Sequence, residues 1–427
     1  MLLKLTRLFL LLLLLMGFSR ARAQSGSFAP VKFKAGMGYE FLSQEFFLQA
    51  VSDTSTDPLL DQVSLETTYL DDLKGLVGLI YSPYVDQRLR VEAQYEQTPE
   101  LLRTRLLPEV RLKWGATKLD IRGEMDVRRR YRDSAKIGDS YSFGRFDSKL
   151  SVPLATDHAI VFRVLADVVQ FDSTGDYTFN YHRLGGRVGW RKSMPDFSFL
   201  DLDLFAVSRW VADSTDLNYM SLGAEGRYYG FLGQTEWDLF GRLEHKNYNF
   251  NTERDDFDRG EIEAHGRIPV SGPLSFRPEL DFSITSYSPA DPVNFDYYQL
   301  KIEALGSLEQ GELTISAGPA LEVLDEAQGD LTFGEDYTEY GLSVQLDYFR
   351  LGKIFGSLES TSGYRNLLTE DDFQSDFYFE RVNLLADAKL TGGLRFDILF
   401  AGEWEWHRVS TDDSRIFLFN SGLTYYF

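Results

Sequence analysis

The chain has 427 residues, no cysteine, 44 Lys and Arg against 65 Asp and Glu, and 15% aromatic residues. A net charge of −21 excludes nucleic acid as a partner, and zero cysteines exclude disulfide staples and thiol nucleophiles. A mean hydropathy of −0.25 excludes a bundle of membrane-spanning helices, though not a barrel, where only alternate residues of each strand meet lipid.

Residues 1–23 contain Lys4 and Arg7, an apolar run from Leu8 to Phe18, and Ala21-Arg22-Ala23 ahead of Gln24. This order predicts a cleaved secretory signal peptide with an A-x-A site. The apolar run is shorter than the roughly 20 residues of a spanning helix, and no cysteine is present to carry a lipid anchor. Cleavage removes four basic residues and no acid, so the net charge moves from −21 to −25. Residues 24–32 form a short lead, and 33–427 show no linker, biased tail or change of composition, which predicts a single domain.

From Phe33 onward the alternation of apolar and polar residues is nearly continuous, and no stretch of a dozen residues has helical period. Val63, Leu65, Tyr69, Leu73, Val77, Leu79 and Tyr81 predict one long strand, while Pro83, Pro99 and Pro108 interrupt the region before residue 115. Between 119 and 128, Leu119, Ile121, Met125 and Val127 oppose Asp120, Arg122, Glu124, Asp126 and Arg128. Segment 198–210 sets Leu200, Leu202, Leu204 and Trp210 against Asp201, Asp203 and Arg209, and 274–284 sets Leu274, Phe276, Leu280, Phe282 and Ile284 against Arg277, Glu279 and Asp281. Near the end, Leu394, Phe396, Ile398, Phe400, Trp404 and Trp406 oppose Arg395, Asp397, Glu403, Glu405 and His407.

The connections alternate as well. Short turns such as GATK (115–118), VSGP (270–273) and TGG (391–393) take turns with longer acidic links such as NTERDDFD (251–258), DEAQGDLTFGED (325–336) and NLLTEDDFQSD (366–376). That rhythm predicts an all-β, single transmembrane up-and-down antiparallel β-barrel of about 20 strands, within 18–22, with tight turns on one rim and long loops on the other. A ring of that size is too wide for side chains to fill. Its apolar rows must therefore face outward to lipid, and its ionic rows an aqueous lumen, where they escape the several kcal/mol cost of burying an unpaired charge. Trp114, Trp190, Trp210, Tyr228, Tyr348, Trp404 and Trp406 lie toward the ends of the apolar rows, as interfacial girdles require.

The final stretch RIFLFNSGLTYYF puts Phe417, Phe419, Leu423, Tyr425 and Phe427 on one side of a strand. Together with the signal peptide and the alternating strands, it resembles the bacterial outer-membrane β-barrel superfamily, porin-like but of no particular family; Ser421 departs from the apolar row. The resemblance implies a Gram-negative envelope location, residues 24–32 on the periplasmic side, outer-membrane lipid and lipopolysaccharide as surroundings, and recognition of Tyr425 and Phe427 by the barrel-assembly machinery.

On the ionic rows, basic groups gather early and acids late. Arg122, Arg128, Arg183, Arg187, Glu236, Asp238, Glu261, Glu279, Asp281 and Glu403 are the candidate pore-lining residues. Their arrangement predicts a transverse field across the bore and passive diffusion of small polar or cationic solutes. The alternatives are an ion-pair lining without selectivity, a non-conducting barrel that docks other envelope components, and an outer-membrane hydrolase. No catalytic set is assigned: G-x-S-x-G is absent, and His265 with Glu263 is the nearest acid–base pair. His158, His182, His245, His265 and His407 never take a metal-ligand spacing, and no acidic link has the order of a calcium loop, so neither metal nor cofactor is predicted. Too few residues precede Phe33 for the plug of an energy-coupled transporter; a blocked lumen would need an inward-folded loop, with 325–336 the longest candidate.

Overall fold

The computed structural model describes residues 31–50, 62–83, 88–98, 101–130, 140–172, 180–212, 218–248, 256–288, 296–326, 336–367, 375–408 and 413–427. The expected signal peptide, most of the long links and the 325–336 loop candidate fall outside them, apart from the flanking residues.

Twenty strands follow one another. They are β1 Val31–Ala50, β2 Gln62–Tyr81, β3 Leu89–Gln97, β4 Leu101–Trp114, β5 Thr117–Arg130, β6 Tyr141–Pro153 and β7 His158–Phe171. There follow β8 Tyr181–Ser193, β9 Phe199–Val211, β10 Tyr219–Leu232, β11 Thr235–Asn247, β12 Asp256–Ser271, β13 Leu274–Ser288 and β14 Tyr297–Gln310. The last six are β15 Leu313–Glu326, β16 Tyr337–Arg350, β17 Ile354–Leu367, β18 Phe377–Thr391, β19 Leu394–His407 and β20 Ser414–Tyr426. Each pairs antiparallel with its chain neighbours, and β1 also pairs with β20, from Lys34 opposite Tyr426 to Glu45 opposite Arg415. The ring is closed. The Phe427 N–H donates to the Phe33 carbonyl at 2.9 Å, so the seam is bonded to its last residue. Every strand has a partner on both sides, the condition for main chain surrounded by hydrocarbon; the exception along the ring is the upper part of β2, where residues 62–74 pair with β1 but not with the short β3, whose ladder with β2 covers Gly75 to Tyr81.

The registers put opposed residues on one face, and contacts that skip strands identify the concave one. Arg277 on β13 donates to Ser316 on β15 at 3.3 Å and to Gln345 on β16 at 3.2 Å. Side chains converge this way only inside a curved sheet. The even-odd row containing Arg277 is therefore the inner one, and the leucine rows, Leu204 and Leu243 among them, are exposed on the outside. Outward charges mark the limits of the apolar band: Arg129, Asp258, Glu380 and Arg415 lie within four residues of a long-link end, and Lys192 and Arg350 lie at the short-turn end.

Both kinds of rim have a local cause. At the short rim, Gly115, Gly233, Gly272 and Gly311 hold φ between 54 and 70°. Each opens a two-residue turn, as Trp114 opposite Thr117 and Leu232 opposite Thr235 show; a positive φ at the first turn position matches the twist of the hairpin. At the long rim, an Asn or Asp at the start of a strand accepts the N–H of a residue within one position of the end of the preceding one. Asn180 takes Phe171, Asn218 takes Val211, Asp256 takes Tyr248, Asp296 takes Tyr287, Asp376 takes Leu367 and Asp413 takes His407, at 2.6 to 2.8 Å.

One sequence expectation is corrected. Pro108 does not interrupt a strand but sits within β4, opposite Val91. Its ring faces outward, the β4–β5 ladder skips the pairs between Leu106 and Glu109, and Gly123 leaves room: a Cβ there would approach the Pro108 ring to 2.9 Å. A proline is tolerated where the ladder forgoes its missing N–H. Pro278 and Pro319 stand in β13 and β15 beside similar gaps.

Two outcomes test this architecture. Asn218→Ala should cost the refolded barrel about 1 kcal/mol in urea unfolding, while Asn218→Asp, which keeps the acceptor, should cost less. Leu204→Arg, facing outward in mid-strand, should cost about 2–4 kcal/mol in bilayers.

Candidate functional site: the inner wall

All ten candidate pore-lining residues occupy the inner row of their strands. Nearly all meet an oppositely charged or hydrogen-bonding neighbour. Arg122 lies 3.3 Å from Glu109, Arg183 donates to Asp167 at 3.0 Å, and Arg187 bridges Glu225 and Asp203. Glu236 accepts the Tyr229 hydroxyl at 2.5 Å, and Asp238 accepts Arg227 at 2.9 Å. Glu261 pairs with Arg259 at 2.6 Å, Glu279 with Arg277 at 3.1 Å, and Glu403 with Arg381 at 2.7 Å. Arg128 instead lies over the Tyr141 ring, 5.9 Å from its centre. Asp281 takes His265 at 3.2 Å, so the histidine partners a residue on the neighbouring strand and not Glu263 two positions away.

The pairs follow from strand geometry. Inner residues two apart on a strand, or opposed across a ladder, approach to within reach of a guanidinium, and the curvature brings even next-but-one strands together. Glu339 is the most heavily used carboxylate. Only 4% exposed, it accepts Arg365 from β17 and Arg381 from β18, the latter at 2.9 Å through both terminal nitrogens. Lys34 on β1 similarly reaches over β2 to Glu92 on β3 at 2.5 Å, tying the seam from within.

Pairing neutralises neighbours but leaves an imbalance around the ring. The inner rows of β4–β8 carry Arg111, Lys113, Arg122, Lys149, Arg163, Arg183 and Arg191, outnumbering their acids. The inner rows of β11–β17 carry Glu236, Asp238, Glu263, Glu279, Asp281, Glu303, Glu322 and Glu359, outnumbering their bases. In a ring of 20 strands these sectors lie on opposing sides.

Sequence reasoning missed a collar of aromatic side chains on the inner face at the long-link rim. Tyr141 packs on Phe171, Tyr219 on Tyr248, Phe257 on Tyr287 and Phe377 on His407, with ring centres 4.4 to 6.1 Å apart. Cations lie against the same rings: Arg209 over Tyr219, Lys246 between Tyr219 and Phe257, and Arg365 over Tyr337 at 3.9 Å. The signal was present as a repeated dipeptide: Asn180-Tyr181, Asn218-Tyr219, Asp256-Phe257, Asp296-Tyr297, Asp336-Tyr337 and Asp376-Phe377 recur every 38 to 40 residues. In each, the first residue heads the strand and the second points into the mouth.

No protein-family model and no curated protein matches this chain. Among solved structures, the siderophore receptor PirA from Pseudomonas aeruginosa superposes with a TM-score of 0.52 at 8% identity, covering 92% of this chain and 80% of that one. OccAB4 from Acinetobacter baumannii gives 0.50 at 8% identity over 95% and 100% of the two chains, and OccAB3 from the same organism gives 0.49 at 13% over 94% and 100%. The shared fold is a large single-chain β-barrel. Within it, the charge pairs described above belong to this chain's own sequence.

Glu339 provides the sharpest test of the wall. Glu339→Gln leaves two arginines without their common carboxylate and should lower unfolding stability by roughly 3–5 kcal/mol. Glu403→Gln, at a far more exposed pair, should cost less than about 1 kcal/mol.

Proposed function

We propose that the chain is an outer-membrane channel for passive diffusion of small polar solutes, with a preference for cations. The observation that carries this reading is the two-sidedness of the closed wall: apolar residues are exposed along its outside, while its inside is predominantly an ionic lining that only water would solvate. Such a lining does not pack as a core. The opposed basic and acidic sectors set a field across the bore that aligns dipolar solutes as they pass. The charge excess of the chain raises the local concentration of cations at its mouths.

In the same reading, Tyr425 and Phe427 act in assembly. Both face outward next to the seam, with ring centres 4.7 Å apart, where an insertion machinery would meet them before closure. Lipid and lipopolysaccharide contact the outer band and the long-link rim.

Purified protein in planar bilayers should conduct, with a reversal potential in a salt gradient on the side that favours potassium over chloride. Replacing Glu261 with Gln and Asp281 with Asn together frees Arg259 and should move that ratio toward or below unity. Absence of ion current through pure, correctly inserted protein defeats the channel reading.

A further inference from the structure

The inner wall is not ionic everywhere. On β16 to β20, near the short-turn rim, the registers assemble a patch of different chemistry. Phe349 stands opposite Phe355, and Leu385 opposite Leu399. Phe355 is the diagonal neighbour of Leu385, since it faces Asp387 two residues further on. Leu418 is the diagonal neighbour of Leu399 in the same way. These side chains point into the bore, and all but the half-buried Leu418 are uncovered: Phe349 is 56% exposed, Leu385 46%, Phe355 38% and Leu399 38%. Elsewhere on the wall, the inner Phe205 is buried beneath the guanidinium groups of Arg187 and Arg242, and the inner Leu305 is buried as well.

Carboxylates frame the patch. Asp387 and Asp397 flank Leu385 and Leu399 along their own strands on the short-rim side, and Glu359 is diagonal to Leu385 on the other. Among the described residues, neither Glu359 nor Asp397 enters an ion pair, whereas Asp387 is held by Arg395. At its lower edge the patch opens into a recess of about 460 Å³ lined by Phe349, Phe355, Asp387 and Tyr426 and, beyond them, by the basic groups Arg350, Lys353, Lys389 and Arg395.

We propose that this patch is a binding station for amphiphilic cations, solutes with a compact apolar or aromatic body carrying one ammonium group. Exposed apolar side chains in water gain about 25 cal/mol for each Å² that a ligand covers, and no inner neighbour covers them in their place. Diagonal spacing across an antiparallel ladder is about 7–8 Å, and an ammonium two carbons from a phenyl ring, about 5 Å from the ring centre, covers it with one charge-assisted hydrogen bond of about 2.8 Å. A ring lying on Leu385 and Leu399 therefore sets its charge beside Glu359 or Asp397. An anion seated on the leucines meets Glu359 and Asp397, the carboxylates nearest them, with Lys389 and Arg395 one register step further out; a small cation has nothing to cover the leucines. This inference rests on the channel reading for its biological sense, but its test does not use ion flow.

The test is calorimetric titration of the full barrel in detergent with 2-phenylethylammonium, methylammonium and phenylacetate. Phenylethylammonium should bind, and the other two should bind at least tenfold more weakly. A Leu385→Ser/Leu399→Ser double variant should weaken phenylethylammonium about tenfold, the loss expected from roughly two methylene groups' worth of contact, and Glu359→Gln/Asp397→Asn should weaken it while leaving phenylacetate no worse. All four positions face water, so the variants are expected to fold; their unfolding midpoints verify it. Equal binding by wild type and the leucine variant, or phenylacetate binding as tightly as the amine, overturns the proposal. Binding without conductance would uphold the station and defeat the channel reading; conductance without binding would do the reverse.

Discussion

The structure depends on one constraint: every main-chain donor and acceptor in the wall must find its partner in the wall itself. Hydrocarbon provides no substitute, so the ladder between β1 and β20 is as necessary as any hairpin. Once the ring closes, a strand has only two directions in which to send a side chain. An alternation that a flat sheet would share between two solvents becomes an outside and an inside. The antiparallel course then requires an even number of strands for first and last to meet, and twenty satisfies it.

Closure also explains why the inside is so heavily paired. A concave surface compresses its side chains, so charged groups on the inner rows are pressed within reach of one another even across an intervening strand, as Arg187 with Glu225 and Lys34 with Glu92 show. Burying isolated charges there would be prohibitive, and the sequence meets the difficulty by placing opposite signs two residues apart on a strand, as Arg259 and Glu261, or across a ladder, as Arg183 and Asp167, even where like charges such as Arg163 and Arg187 or Glu279 and Glu303 stand opposed. What survives cancellation is long-range: one arc positive, the facing arc negative. The same compression covers Phe205 with the guanidinium groups of Arg187 and Arg242, whereas Leu385 and Leu399 stay exposed.

The fold was legible because a period of two is the whole signal of such a wall. The outer rows on β5, β9, β13 and β19 lie as the alternation placed them, and the strand count agrees. Pro108 was misjudged because proline is read as a strand breaker, and what makes it acceptable, a skipped pair and a glycine opposite, is visible only in the register. Partner choice was illegible for a related reason. His265 has Glu263 on its own strand but engages Asp281 on the next, and sequence spacing contains no information about which strand curves nearer. The patch at Leu385 escaped notice because Leu384 and Leu385 are adjacent, so hydropathy alone does not say which faces the bore.

The Asn/Asp-aromatic heads at the long rim carry a consequence for size. Each hairpin closes with its own acceptor and its own ring, and the contacts repeat at nearly constant intervals from Asn180 to Asp376. A wall assembled from interchangeable units of this kind can gain or lose one hairpin and still have matching ends, because parity is conserved, each acceptor bond is internal to its hairpin, and the ring contacts between neighbouring hairpins are alike enough to form between new neighbours. Duplication or excision of a cassette would thus widen or narrow the bore in steps of two strands, giving genetic change a direct route to pore diameter.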